Sequence, residues 1–219
     1  MERLKENALI VFYRYPELGK VKTRLAKELG DEFAFEFYSK CSSYVLEKLT
    51  SLNNIEVYIF FSDNKDISKF DNQFKFILSS QVGNSLGQKM NQAIKDVLCL
   101  GHKKVIICAT DTPDLGKSNI SDAFMSLEKS DFVFGPAVDG GYYLIGMKEE
   151  ASFLFENMTW SHSDVLKESL SRIKRKNQSS SLLERLIDID TKEDLLVWLS
   201  TSGDDYFKES INALYTKSF

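Results

Sequence analysis

Only two histidines occur among 219 residues, which leaves little room for imidazole chemistry. His102 falls in a Gly-His-Lys-Lys turn and is expected to be solvated, and His162 is expected in the first turn of a helix after Trp160. Neither stands near a Cys or Asp pair at ligand spacing, which argues against a histidine-built zinc site. A Gly-x-Ser-x-Gly elbow is also missing, and with it the hydrolase signal. Cysteine is sparse and odd in number: Cys41, Cys99 and Cys108 are scattered among apolar residues. They read as small buried hydrophobes in a reducing cytoplasm, not as disulfide partners. No apolar run approaches the ~18 residues of a membrane span, and the N-terminal run Ala8 to Tyr13 has no small-residue cleavage signal after it. Excess positive charge is absent as well. A net charge of -4 argues against a duplex nucleic acid or a membrane surface as partner. There is no internal repeat and no linker, so one domain spanning residues 1–219 is expected.

What the chain does have is a series of short, continuous apolar runs. Leu9 to Tyr13, Val57 to Phe61, Phe74 to Leu78, Val105 to Cys108, Phe132 to Phe134 and Tyr142 to Ile145 have strand length and no alternation, as in a sheet covered on both faces. Between them, Ala34, Phe37, Tyr38, Cys41, Val45, Leu49 and Leu52 recur at helical steps, as do Leu86, Met90, Ala93, Ile94, Val97 and Leu98. Strands alternating with helices of this length predict an α/β fold with a mostly parallel sheet flanked by helices. Beyond Gly146 helices dominate. Ser161 with Asp164 and Thr191 with Asp194 have capping-box spacing, Phe207 to Tyr215 forms a last helical pattern, and the polar stretch Lys174 to Ser181 reads as a mobile loop.

Three loops carry the chemistry, each expected at the carboxyl end of a strand, where open α/β sheets bind ligands. In YPELGKVKTRL, Pro16 and Gly19 shape a turn, and Lys20, Lys22 and Arg24 lead into a helix whose free N–H groups attract anions. The Walker spacing is absent. In VIICATDTPDL, Asp111 and Asp114 flank Pro113, and in FGPAVDGGYYLIG, Asp139 precedes Gly140 and Gly141, which allow a sharp turn and close approach to a ligand. Two carboxylates from separate loops suffice to hold Mg²⁺ or Mn²⁺ against substrate phosphates, and Asp111 and Asp139 are the metal candidates. Asp114 also fits a turn-stabilising role after Pro113. In QVGNSLGQKM, Ser85 and Gln88 have capping spacing, while Gly83 and Gly87 would admit a base or ribose. Trp160 is read as core.

FYRYPELGKVKTRLAKELG, QVGNSLGQKM, ATDTPDL, GPAVDGGYYLIG, the Trp160-Ser161 pair and IDIDTKEDL occur in that order. Together they resemble the motifs of a family of small bacterial GT-A-type glycosyltransferase-like proteins. These are the radical-SAM/selenodomain-associated transferases of the nucleotide-diphospho-sugar transferase superfamily, related to the 2-phospholactate guanylyltransferases. The resemblance runs from Ala8 to about Leu199. It implies a Rossmann-like nucleotide-binding part over about residues 1–115, and an acceptor part with C-terminal helices over about 116–219. It also implies that Lys22 and Arg24 contact phosphate, and that Asp111 and Asp139 are the catalytic, metal-holding aspartates. The chain departs from the family at Tyr13-Arg14-Tyr15, at Ala109, at Lys89 and at His162.

The leading expectation is therefore a metal-dependent transferase taking a nucleotide-activated donor, with glycosyl transfer from a nucleotide-diphospho-sugar favoured by the resemblance alone. A nucleotidyltransferase joining a nucleoside triphosphate to a phosphorylated small molecule is the alternative. A domain that binds a nucleotide or partner without turnover is the third.

Overall fold

The computed structural model describes residues 4–201 and 206–217; Met1 to Arg3, which head the N-terminal stretch, lie outside the described residues. Strands β1 (Asn7–Tyr13), β2 (Ile55–Phe61), β3 (Ile77–Ser80), β4 (Lys104–Cys108), β5 (Phe132–Pro136), β6 (Tyr142–Met147) and β7 (Ser180–Leu182) form one sheet in the order β3-β2-β1-β4-β6-β5-β7. β6 runs antiparallel to both its neighbours, and the other pairings are parallel. The fold is thus the expected α/β architecture with a mostly parallel, mixed sheet.

Continuous apolar runs make sense here because successive residues of each strand feed opposite cores. Leu9, Val11, Val57, Ile59, Phe61 and Ile106 pack on the side of helices α1 (Thr23–Leu29), α2 (Asp31–Leu49), α4 (Lys117–Lys129), α6 (Lys192–Ser200) and α7 (Tyr206–Lys217). Ala8, Ile10, Tyr58, Phe60, Val105 and Ile107 pack against α3 (Leu86–Cys99), α5 (Val165–Arg175) and a short 3₁₀ turn at Ser152–Leu154. Both faces are therefore closed to water.

The structure corrects several local expectations. The strand expected from Phe74 begins only at Ile77, because the Asn72 amide clamps Phe76: Nδ2 donates to its carbonyl at 2.7 Å and Oδ1 accepts from its N–H at 2.8 Å. Lys174 to Ser181 is not a mobile loop. It comprises the end of α5, a tight turn and the start of β7, which pairs with β5. Ser161 caps nothing, since it has a φ of 65° and α5 begins four residues later, which also leaves His162 in the turn before the helix. At Thr191 the box does form: Thr191 Oγ1 accepts from Asp194 N at 3.2 Å, and Asp194 Oδ2 accepts from Thr191 N at 2.8 Å. His102 is 3% exposed, held between Tyr58 Oη at 2.8 Å and the Lys5 carbonyl at 2.7 Å, because its loop folds back onto the segment that leads into β1, where the Lys103 N–H donates to the Glu6 carbonyl at 2.7 Å. Cys41 and Cys108 are buried but Cys99, on the outer side of α3, is exposed; all three are free. No helix among the described residues is long and apolar enough to cross a membrane.

Candidate active site

β1 is flanked by β2, reached through α1 and α2 on one face of the sheet, and by β4, reached from β3 through α3 on the other, so a crevice opens at its carboxyl end. The loop that follows is tied down before it reaches Lys22. Arg14 exchanges hydrogen bonds with Tyr38, its N–H donating to Tyr38 Oη at 3.3 Å and its carbonyl accepting from that hydroxyl at 3.0 Å. The Arg14 guanidinium donates to the Lys20 carbonyl at 3.1 Å, and Gly19 supplies the left-handed residue, φ 73°, that the turn requires. Lys22 itself has φ 46° at the entry to α1, a conformation that costs a non-glycine residue about 1 kcal/mol or more. That geometry sends its side chain inward.

There the Lys22 ammonium, its side chain only 6% exposed, meets Asp111 at 2.9 Å and Asp190 at 3.8 Å. Burial alone would make the ammonium easier to deprotonate, but the charge and hydrogen bond of Asp111, with the charge of Asp190, together outweigh it and hold the Lys22 pKa above the ordinary lysine value. Burial likewise pushes the Asp111 carboxyl up, and the Lys22 charge and hydrogen bond overcome that push and hold it below the usual range. Asp111 lies just beyond β4. After β7 the chain returns across the same edge: the Ile189 N–H donates to the Asp111 carbonyl at 3.1 Å, which lays Asp188 and Asp190 beside it. Arg24, its side chain 61% exposed, is joined to the site among the described residues through Asp190, at 3.0 Å.

Asp139 stands in the β5–β6 turn. Its Oδ1 accepts from the Gly141 N–H at 2.8 Å, and Gly140 takes φ 92° with its Cα pressed against the Ser163 backbone. The Leu166 N–H donates to the Gly140 carbonyl at 3.1 Å, so this turn and the segment ahead of α5 interlock. Asp188 feels burial first, then the like charges of Asp139 and Asp111, and its pKa is raised to about 7.

Two adjoining cavities open on this edge. One, about 400 Å³, is lined by Arg14, Lys20, Lys22, Thr23, Ser62, Gln81, Thr110, Asp111 and Asp190, among others. The other, about 230 Å³, is lined by Met90, Asp139, Gly141, Tyr142, Trp160, His162, Val165 and Asp188, among others, and Phe12, Leu86 and Ala109 border both. Trp160 is thus half-buried at a cavity wall. Gly87 lies beneath it, since a Cβ there would come within 2.8 Å of the Phe155 carbonyl and 3.0 Å of the indole. Asp114 points elsewhere: both its oxygens accept from the indole N–H of the fully buried Trp198, at 3.0 and 3.1 Å.

Lys22 and Asp111 therefore share one cavity, Asp139 faces its neighbour, and Arg24 stays at the outer rim. Sequence reasoning missed Asp188 and Asp190. The signal was present in Ile187-Asp188-Ile189-Asp190, because alternation around a fully buried Ile189 turns both carboxylates the opposite way. A basin lined by Arg14, Lys20 and Lys22 beside carboxylates suits a polyphosphate ligand.

Comparisons with known proteins agree with this fold. A family model described as "Uncharacterized protein conserved in bacteria (DUF2064)" matches residues 45–162. The 2-phospho-L-lactate guanylyltransferase of Methanocaldococcus jannaschii is 24% identical over 197 residues, covering 90% of this chain and 85% of that protein. Its counterpart from Methanobrevibacter smithii is 28% identical over 181 residues, covering 80% and 76%. Among solved structures, a putative nucleotide-diphospho-sugar transferase from Desulfovibrio desulfuricans G20 superposes with a TM-score of 0.89 at 28% identity over 98% of each chain.

Proposed function

The chain belongs to the DUF2064 family of proteins conserved in bacteria, and on that premise we propose that it is a nucleotidyltransferase, joining a nucleoside triphosphate to a phosphorylated small molecule with release of pyrophosphate. It is a transferase, related in sequence to enzymes named for guanylyl transfer to 2-phospho-L-lactate. The observation that carries the finer reading is the pairing of cavities: one furnished with Arg14, Lys20 and Lys22, the other without a lysine or arginine among its described lining residues, and both bordering the carboxylates. In this reading the triphosphate lies in the first and the acceptor in the second. Residues 1–115 would then supply most of the nucleotide side and 116–219 the acceptor side.

The reaction would form a bond from an acceptor phosphate oxygen to the α-phosphorus and break the α–β bridging bond, the electron pair leaving with pyrophosphate. Lys22, with Lys20 and Arg14, would offset the charge gathering on that leaving group, and the Gly19 turn would hold them in place. Arg24 would lend charge from the rim through Asp190, and Gly87, Gly140 and Gly141 would let backbone and substrate approach closely. Asp114 would act only indirectly, by anchoring Trp198 under the loop.

The donor set fits a divalent cation. Asp111, Asp139 and Asp188 offer hard carboxylate oxygens; burial first, and then the like charges of Asp139 and Asp111, raise Asp188, and a cation would relieve that repulsion. Among the described residues no three such ligands are gathered around one point. Mg²⁺ or Mn²⁺ would therefore take one or two carboxylates and complete its shell with phosphate oxygens, supplying Lewis-acid stabilisation of the transferring group. Three free thiols and the absence of a spanning helix among the described residues fit a cytoplasmic setting.

Glycosyl transfer is the second reading, favoured by the structural likeness to a protein described as a putative nucleotide-diphospho-sugar transferase. Incubating the chain with each nucleoside triphosphate, Mg²⁺ and a panel of phosphorylated acceptors separates the two. Acceptor-dependent pyrophosphate release supports nucleotidyl transfer. Release of a nucleoside diphosphate from a nucleotide-sugar, with no pyrophosphate from any triphosphate, overturns it.

A further inference from the structure

The smaller cavity has a chemistry of its own. Its wall is carbon-rich, built from Phe12, Met90, Tyr142, Trp160 and Val165; Asp139, Asp188 and His162 also line it, and no lysine or arginine is among its described lining residues. It is also held rigid. The Trp160 ring lies edge-on to Tyr142 with centroids 6.4 Å apart and stacks on Phe155 at 6.5 Å. Gly87 packs directly beneath the indole, and Gly140 is locked against Ser163, so little room is left for repacking.

We propose that this cavity receives the carbon body of the acceptor, and that this body is apolar, of aryl size, and bears no anionic group besides the reacting phosphate. The inference rests on the nucleotidyl-transfer reading of the same site. An extra carboxylate on the acceptor would be desolvated against apolar walls with no lysine or arginine among the described lining residues to pair with it, an arrangement that burial penalises heavily. Size points the same way. A cavity of about 150 Å³ accepts benzene, so 230 Å³ accommodates a group of roughly nine non-hydrogen atoms.

The nucleobase is the competing occupant; the smaller cavity has polar groups of its own, Ser161 and His162 among them, but only the larger sets such groups beside the cations that would hold the attached phosphates. A base edge needs hydrogen-bond partners, and the larger cavity has Ser62 and Gln81 beyond the cations. The Gln81 side chain is already oriented there by donation to the Phe60 carbonyl at 3.0 Å, which leaves its oxygen free of that bond.

The test is direct binding to the full chain, by calorimetry and tryptophan fluorescence, of benzyl phosphate and of 2-phospho-L-lactate, each with and without GTP. The chain has two tryptophans and Trp198 is fully buried, so quenching reports Trp160. Benzyl phosphate is expected to bind about ten-fold more tightly than 2-phospho-L-lactate and to quench. Val165→Phe, which fills the cavity, should weaken benzyl phosphate about ten-fold and leave GTP affinity within about two-fold. Leu86→Arg, at an exposed position and so tolerable to the fold, adds a cation on the shared wall and should narrow the preference. Equal or tighter binding of 2-phospho-L-lactate overturns the proposal, as does a loss of GTP binding in place of benzyl phosphate binding in the filled variant. If benzyl phosphate binds as described while no triphosphate yields pyrophosphate, the cavity assignment stands and the reaction reading falls.

Discussion

The two cavities share three wall residues and lie on one sheet edge, yet one gathers cations and the other excludes them. The difference comes from which chain segment supplies the wall. The larger is walled by the loop after β1, whose left-handed Lys22 turns an ammonium inward; the smaller is walled by the β5–β6 turn and the segment before α5, whose close backbone packing leaves aromatic rings as lining. Charge is thus sorted by loop geometry, and the carboxylates stand between the two basins.

The strongest way to break this contrast is Lys22→Met. It removes the buried cation and strands Asp111, and kcat/KM for pyrophosphate release is expected to fall by about 10² to 10³. Near-full activity would deny the larger cavity its distinguishing charge. Next is Gly140→Ala, which adds a methyl against the Ser163 backbone at φ 92°; a loss of about 2–4 kcal/mol in chemical denaturation is expected, and an unchanged midpoint would mean the two segments are not locked together. Asp114→Ala should cost about 1–3 kcal/mol by leaving the buried Trp198 N–H unpaired, while KM for the triphosphate stays within about two-fold. A KM change without a stability change would move Asp114 into the larger cavity's chemistry.

The smallest effect belongs far from either basin, at β7. The Ser179 N–H and hydroxyl bond Asp131 and hold its carboxyl below the usual value. A carboxyl depressed in the folded state contributes stability above its unfolded pKa, about 4, and loses it as pH falls through the folded value. Asp131→Asn should therefore flatten the acid limb of a stability profile slightly and leave activity at neutral pH unchanged; an altered neutral rate would couple this edge to the cavities.

Much of the fold was legible because burial on both faces of a sheet demands continuous apolar runs, and β1, β2, β4, β5 and β6 all carry them. β7 was not. Ser180 and Leu182 are exposed and Ser181 only half-buried, so nothing in their polarity separates a short edge strand from a loop. The antiparallel direction of β6 was hidden too, since pairing direction leaves no mark on composition. Within the site, Lys22, Asp111 and Asp139 stood out as charges following apolar runs. Asp188 did not, because its neighbours at the carboxyl edge arrive from segments about 50 and 80 residues away in the chain.

By itself the sequence determined the α/β class and the residue types gathered at the carboxyl edge, because periodicity and turn chemistry are local properties. Only the tertiary structure decided that Lys22 would be neutralised by Asp111, that Arg24 would remain outside, and that aromatic rings would wall a second basin beside the first. Those outcomes depend on Coulomb and packing contacts between segments remote in the chain, whose distances no local pattern encodes.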